Sequence, residues 1–97
     1  MTKWAVIFED TPGMLEIRKQ KLEQHLVWLA EHSERILIAG GLRITPDAPF
    51  TGGLWIVDAA EYDDVVALVL EDPFYAPLHR KFTVHAWNKA SKPLVTL

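Results

Sequence analysis

The chain contains no cysteine. Disulfide bonds, thiolate nucleophiles and cysteine-based metal sites are therefore excluded, although nothing follows about the compartment. No run of apolar residues approaches the roughly 20 that a membrane-spanning helix requires. The first residues lead directly into a strand-like pattern instead of a signal peptide. From these absences we expect a cytoplasmic protein with no membrane segment.

An excess of positive charge is also lacking. The formal net charge is −3 and acidic and basic residues are interspersed, without a basic patch. Nucleic acid is therefore not an expected partner. The 97 residues, of which 49% are hydrophobic, suffice for one core but not for two. We therefore expect a single domain over residues 1–97.

The periodicity of the apolar residues predicts the element order βαββαβ. Alternating residues indicate strands, and residues that recur at helical spacing indicate helices. The predicted strands cover residues 3–9, 35–42, 50–58 and 80–88, the predicted helices cover residues 14–33 and 62–70, and residues 90–97 form a tail. This order is typical of an α+β, ferredoxin-like fold, in which a four-stranded antiparallel sheet carries both helices on one face.

Local patterns add detail to these elements. Leucines at helical spacing are predicted to form the buried face of the first helix: Leu15, Leu22, Leu26 and Leu29. Residues 58–61 resemble a capping box that opens the second helix. The pair Gly52-Gly53 in the third strand indicates a bulge or a close approach of two backbones.

Both faces of the predicted sheet are apolar. In the third strand, Leu54 and Ile56 point to one side and Trp55 and Val57 to the other. A sheet covered by helices on one face normally carries polar residues on the other. Since no third helix is left to cover the second face, the pattern predicts a homodimer in which two sheets pack face to face. The alternative is a monomer with an exposed apolar face.

An acidic turn, Glu71-Asp72-Pro73-Phe74, follows the second predicted helix. Pro73 should end that helix at Glu71 or Asp72. Both carboxylates then lie at the negative end of the helix dipole, where each is unfavourable by up to about 1 kcal/mol. Asp72 is either a solvated turn former, which is common before proline, or a functional carboxylate whose partner lies elsewhere in the chain.

The first helix carries a candidate partner. Arg18, His25 and His32 fall on one line of the helix at the border of its apolar face. A half-buried His25 paired with a carboxylate would suit general acid–base catalysis, whereas the alternative is a boundary histidine that packs. No metal site is expected, because His25 and His32 lie roughly 10 Å apart along the helix. His79 and His85 show no ligand spacing either.

Short motifs occur in a recognisable order along nearly the whole chain: Arg18, His25-Leu26, Gly40-Gly41-Leu42, Asp72-Pro73-Phe74 and Val84-His85-Ala86-Trp87. In this order and spacing the chain resembles the YCII-related domain family, of the dimeric α+β barrel superfamily. The resemblance implies a ferredoxin-like fold, dimerisation through the sheets and a His–Asp pair in a cleft, here His25 and Asp72, with Arg18 matching an arginine two turns before the histidine. Gly41 departs from the family, which often has proline at this position.

Two residue sets define the functional hypothesis. His25 would move a proton, Asp72 would hold the imidazole and stabilise its cation, and Arg18 would bind a substrate carboxylate or phenolate. Aromatic residues are predicted to form an apolar wall against the substrate, or equally to belong to the core: Trp28, Phe74 and Tyr75.

The sequence therefore predicts a lyase, isomerase or hydrolase that acts on a small organic acid or phenol without a cofactor. Relatives in the resembled family include enzymes that act on small cyclic or chlorinated hydroxyaromatic compounds, although most members lack an assigned reaction. One alternative is a non-catalytic metabolite-binding or accessory module, as a dimer or a higher oligomer. The other is a cofactorless monooxygenase, by analogy of fold alone.

Overall fold

A computed structural model describes residues 1–90 of the chain, so nearly all of the predicted tail lies outside the described residues. The elements are β1 (Thr2–Asp10), α1 (Met14–Glu31), β2 (Ile36–Leu42), β3 (Gly52–Ala59), α2 (Tyr62–Glu71) and β4 (Arg80–Ala86). Within residues 1–90, no helix is long and apolar enough to cross a membrane.

The strands form one antiparallel sheet in the order β2-β3-β1-β4. The first strand is central and pairs with both β3 and β4, as in Val6, which lies opposite Trp55 on one side and Val84 on the other. The predicted βαββαβ order and the ferredoxin-like fold are therefore confirmed.

The core lies between one face of the sheet and the helices. Val6 and Phe8 of β1 contribute to it, together with Trp55 and Val57 of β3. The second helix adds residues at helical spacing: Val65, Leu68 and Val69. Alternate residues of each strand enter this layer, as the period of two requires.

The predicted buried face of α1 is wrong for three of its four leucines, whereas Leu29 packs against the core. Leu15, Leu22 and Leu26 are exposed, by 38%, 48% and 55%. The helix instead turns Met14 and His25 inward, and both are buried. Arg18 and His25 are turned inward because other elements supply hydrogen-bond partners for their side chains. The periodicity of a helix carries no information about such partners.

The α2 helix begins at Tyr62 and ends at Glu71, as predicted, but its capping box lies three residues later than predicted. The β3 strand continues to Ala59, so residues 58–61 do not open the helix. Glu61 is the N-cap, and its N–H donates to Asp64 Oδ2 at 3.2 Å. Pro73 ends the helix as predicted, with Glu71 as the last helical residue.

The outer face of the sheet, away from the helices, is apolar along β1, β2 and β3 as predicted, whereas β4 places Thr83 and His85 on it. Ile7 and Leu54 lie opposite each other on β1 and β3, and Ile38 lies on β2 beside them. Their exposed fractions are 40%, 37% and 45%. A monomer of this size seldom exposes so many neighbouring large apolar side chains.

Gly52 marks a close approach of two backbones, as the sequence indicated. A Cβ atom at this position would overlap the carbonyl oxygen of Phe8 on the neighbouring strand. By contrast, a Cβ atom at Gly40 would meet nothing within 4 Å.

Gly52→Ala is therefore expected to destabilise the fold by about 1–3 kcal/mol, because the obstructing atom belongs to the backbone of a central strand. Gly40→Ala, the matched control, should stay within about 0.5 kcal/mol of the unaltered protein. Urea unfolding at one protein concentration measures both. Equal stabilities for the two variants would contradict the close approach at Gly52.

Candidate active site

A cleft of about 210 Å³ opens between α1 and the strands β2 and β3. Ala39, Gly41 and Gly53 lie on the floor of this cleft, and the last two are register partners. Because these residues have a small side chain or none, they leave room beneath the helix for the cleft and, at Gly41, for the ring of Phe50.

His25 and Asp72 meet at the wall of this cleft. The His25 Nδ1 atom lies 2.6 Å from Asp72 Oδ1, and the two side chains are 10% and 2% exposed. A carboxylate offers acceptors, so the proton of this bond belongs on Nδ1. Within residues 1–90, His25 Nε2 has no hydrogen-bond partner, and His25 lines the cleft while Asp72 lies behind it.

The position of Asp72 results from the proline that follows it. Asp72 has φ −60° and ψ 130°, the extended conformation that a residue before proline adopts. The Asp72 N–H still donates a helical hydrogen bond to Leu68 O, at 3.2 Å. Its Oδ1 atom also accepts the Phe74 N–H at 3.0 Å. The Asp72 carboxylate is thereby held by the backbone of its own turn, independently of its contact with His25.

Phe74 fixes the plane of the imidazole. The rings of His25 and Phe74 are stacked, with centroids 3.7 Å apart and planes 8° from parallel. Phe74 is itself buried. The imidazole is therefore held at one edge by a carboxylate and on one face by a ring, which leaves its Nε2 edge without a hydrogen-bond partner in the described part of the chain.

Two arginines beside Phe74 share one buried carboxylate. Arg80 donates from Nε and Nη2 to Asp10, at 2.7 and 3.0 Å. Arg18 Nη2 donates to Gly52 O at 2.7 Å and lies 3.4 Å from Asp10 Oδ2. Both arginines line the cleft, whereas the Asp10 side chain has no exposed surface.

The electrostatic environment of Arg18 reflects this arrangement. Burial and then the neighbouring Arg80 guanidinium lower the pKa of Arg18 from its ordinary value, against the opposing effect of Asp10. In the described part of the chain, the Arg18 Nε–H is buried without a hydrogen-bond partner. Buried donors without partners are rare in native folds, and each one calls for an explanation such as a functional role or a bound water or ion.

The predicted site residues divide into two groups. His25, Arg18 and Phe74 line the cleft, with Asp72 directly behind. Trp28 and Tyr75 are not among the lining residues. The Trp28 ring packs against His32 and Trp55, with centroids at 4.4 and 5.8 Å, and Tyr75 is 40% exposed.

Sequence reasoning missed Asp10, Arg80 and Phe50, of which the last two line the cleft. Asp10 ends β1, Arg80 begins β4, and the two are register partners. Opposite charges at the adjoining ends of two predicted antiparallel strands were the available signal. Within residues 1–90, no group of three or more His, Cys, Asp or Glu side chains is placed to hold a metal ion.

Comparison with known proteins supports the fold and the family. A model of the YCII-related domain matches residues 2–88. No curated protein matches the chain. Among solved structures, the chain is similar to 5-chloro-2-hydroxyhydroquinone dehydrochlorinase from Burkholderia phenoliruptrix, in complex with 2,5-dihydroxybenzoquinone. The identity is 24%, the match covers 89% of this chain and 93% of that chain, and the TM-score is 0.76.

Asp10→Asn is expected to destabilise the protein by about 3–5 kcal/mol, because it leaves two guanidiniums without their shared counter-charge in a largely buried place. The matched control is Asp58→Asn, which removes the exposed pair with Lys3 and should cost about 1 kcal/mol or less. Urea unfolding measures both losses. Similar small losses in the two variants would show that Asp10 does not hold the arginine pair.

Proposed function

The chain belongs to the YCII-related domain family, and we propose that it is a small-molecule enzyme that works without a cofactor and uses His25 and Asp72 as a general acid–base pair. The observation that carries this proposal is the 2.6 Å contact between His25 Nδ1 and Asp72 Oδ1. A carboxylate on Nδ1 leaves Nε2 as the nitrogen that exchanges protons with a ligand.

Each residue has a distinct part in the proposed chemistry. His25 accepts a proton from a hydroxyl group or an acidic carbon of the substrate, and the Asp72 carboxylate stabilises the imidazolium that forms. Phe74 keeps the ring plane fixed while the charge changes. The paired electrons left on the substrate expel a leaving group or shift to another atom, so elimination and isomerisation proceed without an external oxidant or reductant.

The substrate class follows from the size and charge of the cleft. An apolar cavity of roughly 150 Å³ accepts benzene, and drug-sized ligands need roughly 300 Å³ or more. A cleft of about 210 Å³ therefore suits a single substituted ring or a small organic acid. The charged residues that line it are Arg18 and Arg80, while Asp10 and Asp72 stand behind, so the ligand-facing charges favour an anionic oxygen.

The structural neighbour fits this proposal. Its name describes the elimination of hydrogen chloride from a chlorinated hydroxyquinol, and its complex contains a dihydroxybenzoquinone. Elimination of this kind needs a base for the proton and positive groups for the oxygen left behind. His25 and Arg18 would supply both in this chain, which makes a lyase of single-ring hydroxyaromatic compounds the leading form of the proposal.

The substrate can be sought by thermal shift with single-ring hydroxyaromatic compounds, chlorinated ones among them, and with small organic acids. Product analysis and chloride release then follow for each compound that stabilises the protein. A compound that stabilises and is converted supports an enzyme. One that stabilises but is always recovered unchanged favours the metabolite-binding module, and oxygen uptake would indicate the monooxygenase.

With such a substrate, His25→Gln is expected to lower kcat by about 10²–10⁴-fold, because the proton acceptor is lost. Asp72→Asn should lower kcat as well, since an amide neither stabilises the imidazolium nor fixes its tautomer. The control is His32→Gln, which removes the imidazole at the C-cap of α1, outside the cleft, and should leave kcat within about twofold. Circular dichroism confirms folding of the variants. Full activity of both His25→Gln and Asp72→Asn would refute the assignment.

We also propose that the outer face of the sheet is covered by a second copy of the chain. The apolar residues on this face come from three adjacent strands and lie opposite one another. A face that repeats on each copy is self-complementary in the sense that a two-fold dimer requires. The resulting homodimer would bury Ile7, Ile38 and Leu54.

Leu54→Lys is expected to convert the dimer to a monomer, because the charge would have to be buried between two sheets. Val27→Lys introduces the same charge at an apolar residue of α1 that is 55% exposed, and it should remain dimeric. Sedimentation equilibrium gives the mass of each protein. A monomeric unaltered protein, or a dimeric Leu54→Lys variant, would rule out this interface.

A further inference from the structure

Phe50 forms a wall of the cleft, although no strand or helix contains it. It lies on the β2–β3 loop, two residues before β3 begins, and its ring lines the cleft. Two guanidiniums contact this ring: the Cζ atoms of Arg18 and Arg43 lie 4.6 and 4.7 Å from its centroid. Cations over an aromatic face are attractive, so these contacts hold the ring at the cleft.

Gly41 provides the space that the Phe50 ring occupies. A Cβ atom at Gly41 would overlap the Cδ1 and Cε1 atoms of that ring. The neighbouring Gly40 has no such contact, since a Cβ atom there would meet nothing within 4 Å. The missing side chain at Gly41 is thus matched to one ring in one position.

The base of the loop is fixed independently of this contact. Thr51 N donates to Leu42 O at 2.9 Å, and Asp10 N donates to Thr51 O at 2.9 Å. A side chain at Gly41 would therefore displace the flexible ring of Phe50 before it displaced the backbone of the loop. Arg18 would lose its contact with the Phe50 ring, whereas Asp72 would still hold His25 and Asp10 would still hold Arg80.

We propose that Phe50, seated against Gly41, sets the size of the ring that the cleft accepts and restricts it to ligands with one six-membered ring. This inference rests on the proposed function, in which the cleft binds a small cyclic anion. With Phe50 in place the cleft measures about 210 Å³, against the roughly 150 Å³ of a cavity that accepts benzene, so it suits one substituted ring. Removal of the ring, or a side chain that displaces it, would lengthen the cleft towards the loop.

Two acidic quinones of different size test the proposal: 2,5-dihydroxybenzoquinone with one ring and 2-hydroxy-1,4-naphthoquinone with two. Dissociation constants are measured by titration calorimetry for the unaltered protein, Phe50→Ala, Gly41→Ala, the double variant and the control Gly40→Ala. Discrimination in an apolar pocket by one added group is roughly 10–200-fold. The unaltered protein and Gly40→Ala should therefore bind the two-ring compound at least about tenfold more weakly than the one-ring compound.

In Phe50→Ala and Gly41→Ala this preference should fall by about tenfold or more. The double variant should resemble either single variant, because both changes act through one ring. A general loss of stability would weaken both ligands alike and leave their ratio unchanged. An unaltered ratio in Phe50→Ala or Gly41→Ala, equal binding of the two quinones to the unaltered protein, or binding of neither would overturn the proposal. If Gly41→Ala does not fold, Phe50→Leu replaces it, and an unaltered ratio of the two dissociation constants in that variant would overturn the proposal.

The His25→Gln variant separates this inference from the proposed function. The ratio of the two dissociation constants should persist in it, since ring size is sensed by Phe50 and not by the imidazole. Undiminished turnover in His25→Gln would count against the acid–base proposal and leave the ring-size ratio intact. A lost ratio with catalysis still dependent on His25 would count against the Phe50 proposal alone.

Discussion

The contact between His25 and Asp72 joins the middle of α1 to the end of α2, and the geometry of the cleft depends on it. Either side chain alone would be an unfavourable burial, one a polar ring beneath a helix and the other a carboxylate at the negative end of a helix dipole. Together they satisfy each other at 2.6 Å. Pro73 makes the pairing possible, because it turns Asp72 out of the helical conformation and so fixes its carboxylate.

Charges are also layered around Asp10. The Asp10 side chain is fully buried and accepts hydrogen bonds from Arg80 while it lies within ion-pair distance of Arg18. The acids lie behind, and the arginines and the histidine line the cleft. Such an arrangement leaves positive donors at the surface of the cleft while the interior charges stay compensated. It also places the imidazole and the two guanidiniums in one small volume.

The sequence predicted the fold well because its signals are local. The strand and helix periods, and Pro73 as a stop signal, depend on a few neighbouring residues each. The error on α1 has the opposite cause. Leu22 and Leu26 were predicted to face the core by helical spacing, yet the helix buries His25, whose partner Asp72 is 47 residues away. Partners at that separation leave no mark on a helical pattern.

The candidate site was predictable to the same extent. The family resemblance indicated His25, Asp72 and Arg18, and the position of the Asp72 carboxylate at the negative end of a helix dipole supported it. The structure brings these residues to one cleft. Arg80 escaped notice because its role arises from pairing between β1 and β4. Phe50 escaped because loops have no period from which a side chain direction follows. Trp28 was predicted to form the wall or equally to belong to the core, and its ring packs on Trp55.

The most direct test of the His25–Asp72 pairing is the tautomer of His25, measured by long-range nitrogen–proton NMR of the imidazole at a pH where the ring is neutral. The pairing predicts a proton on Nδ1, shared with Asp72, and an unprotonated Nε2. In Asp72→Asn this preference should be lost. A proton on Nε2, or two tautomers averaged in the unaltered protein, would contradict the pairing from which the proposed chemistry is derived.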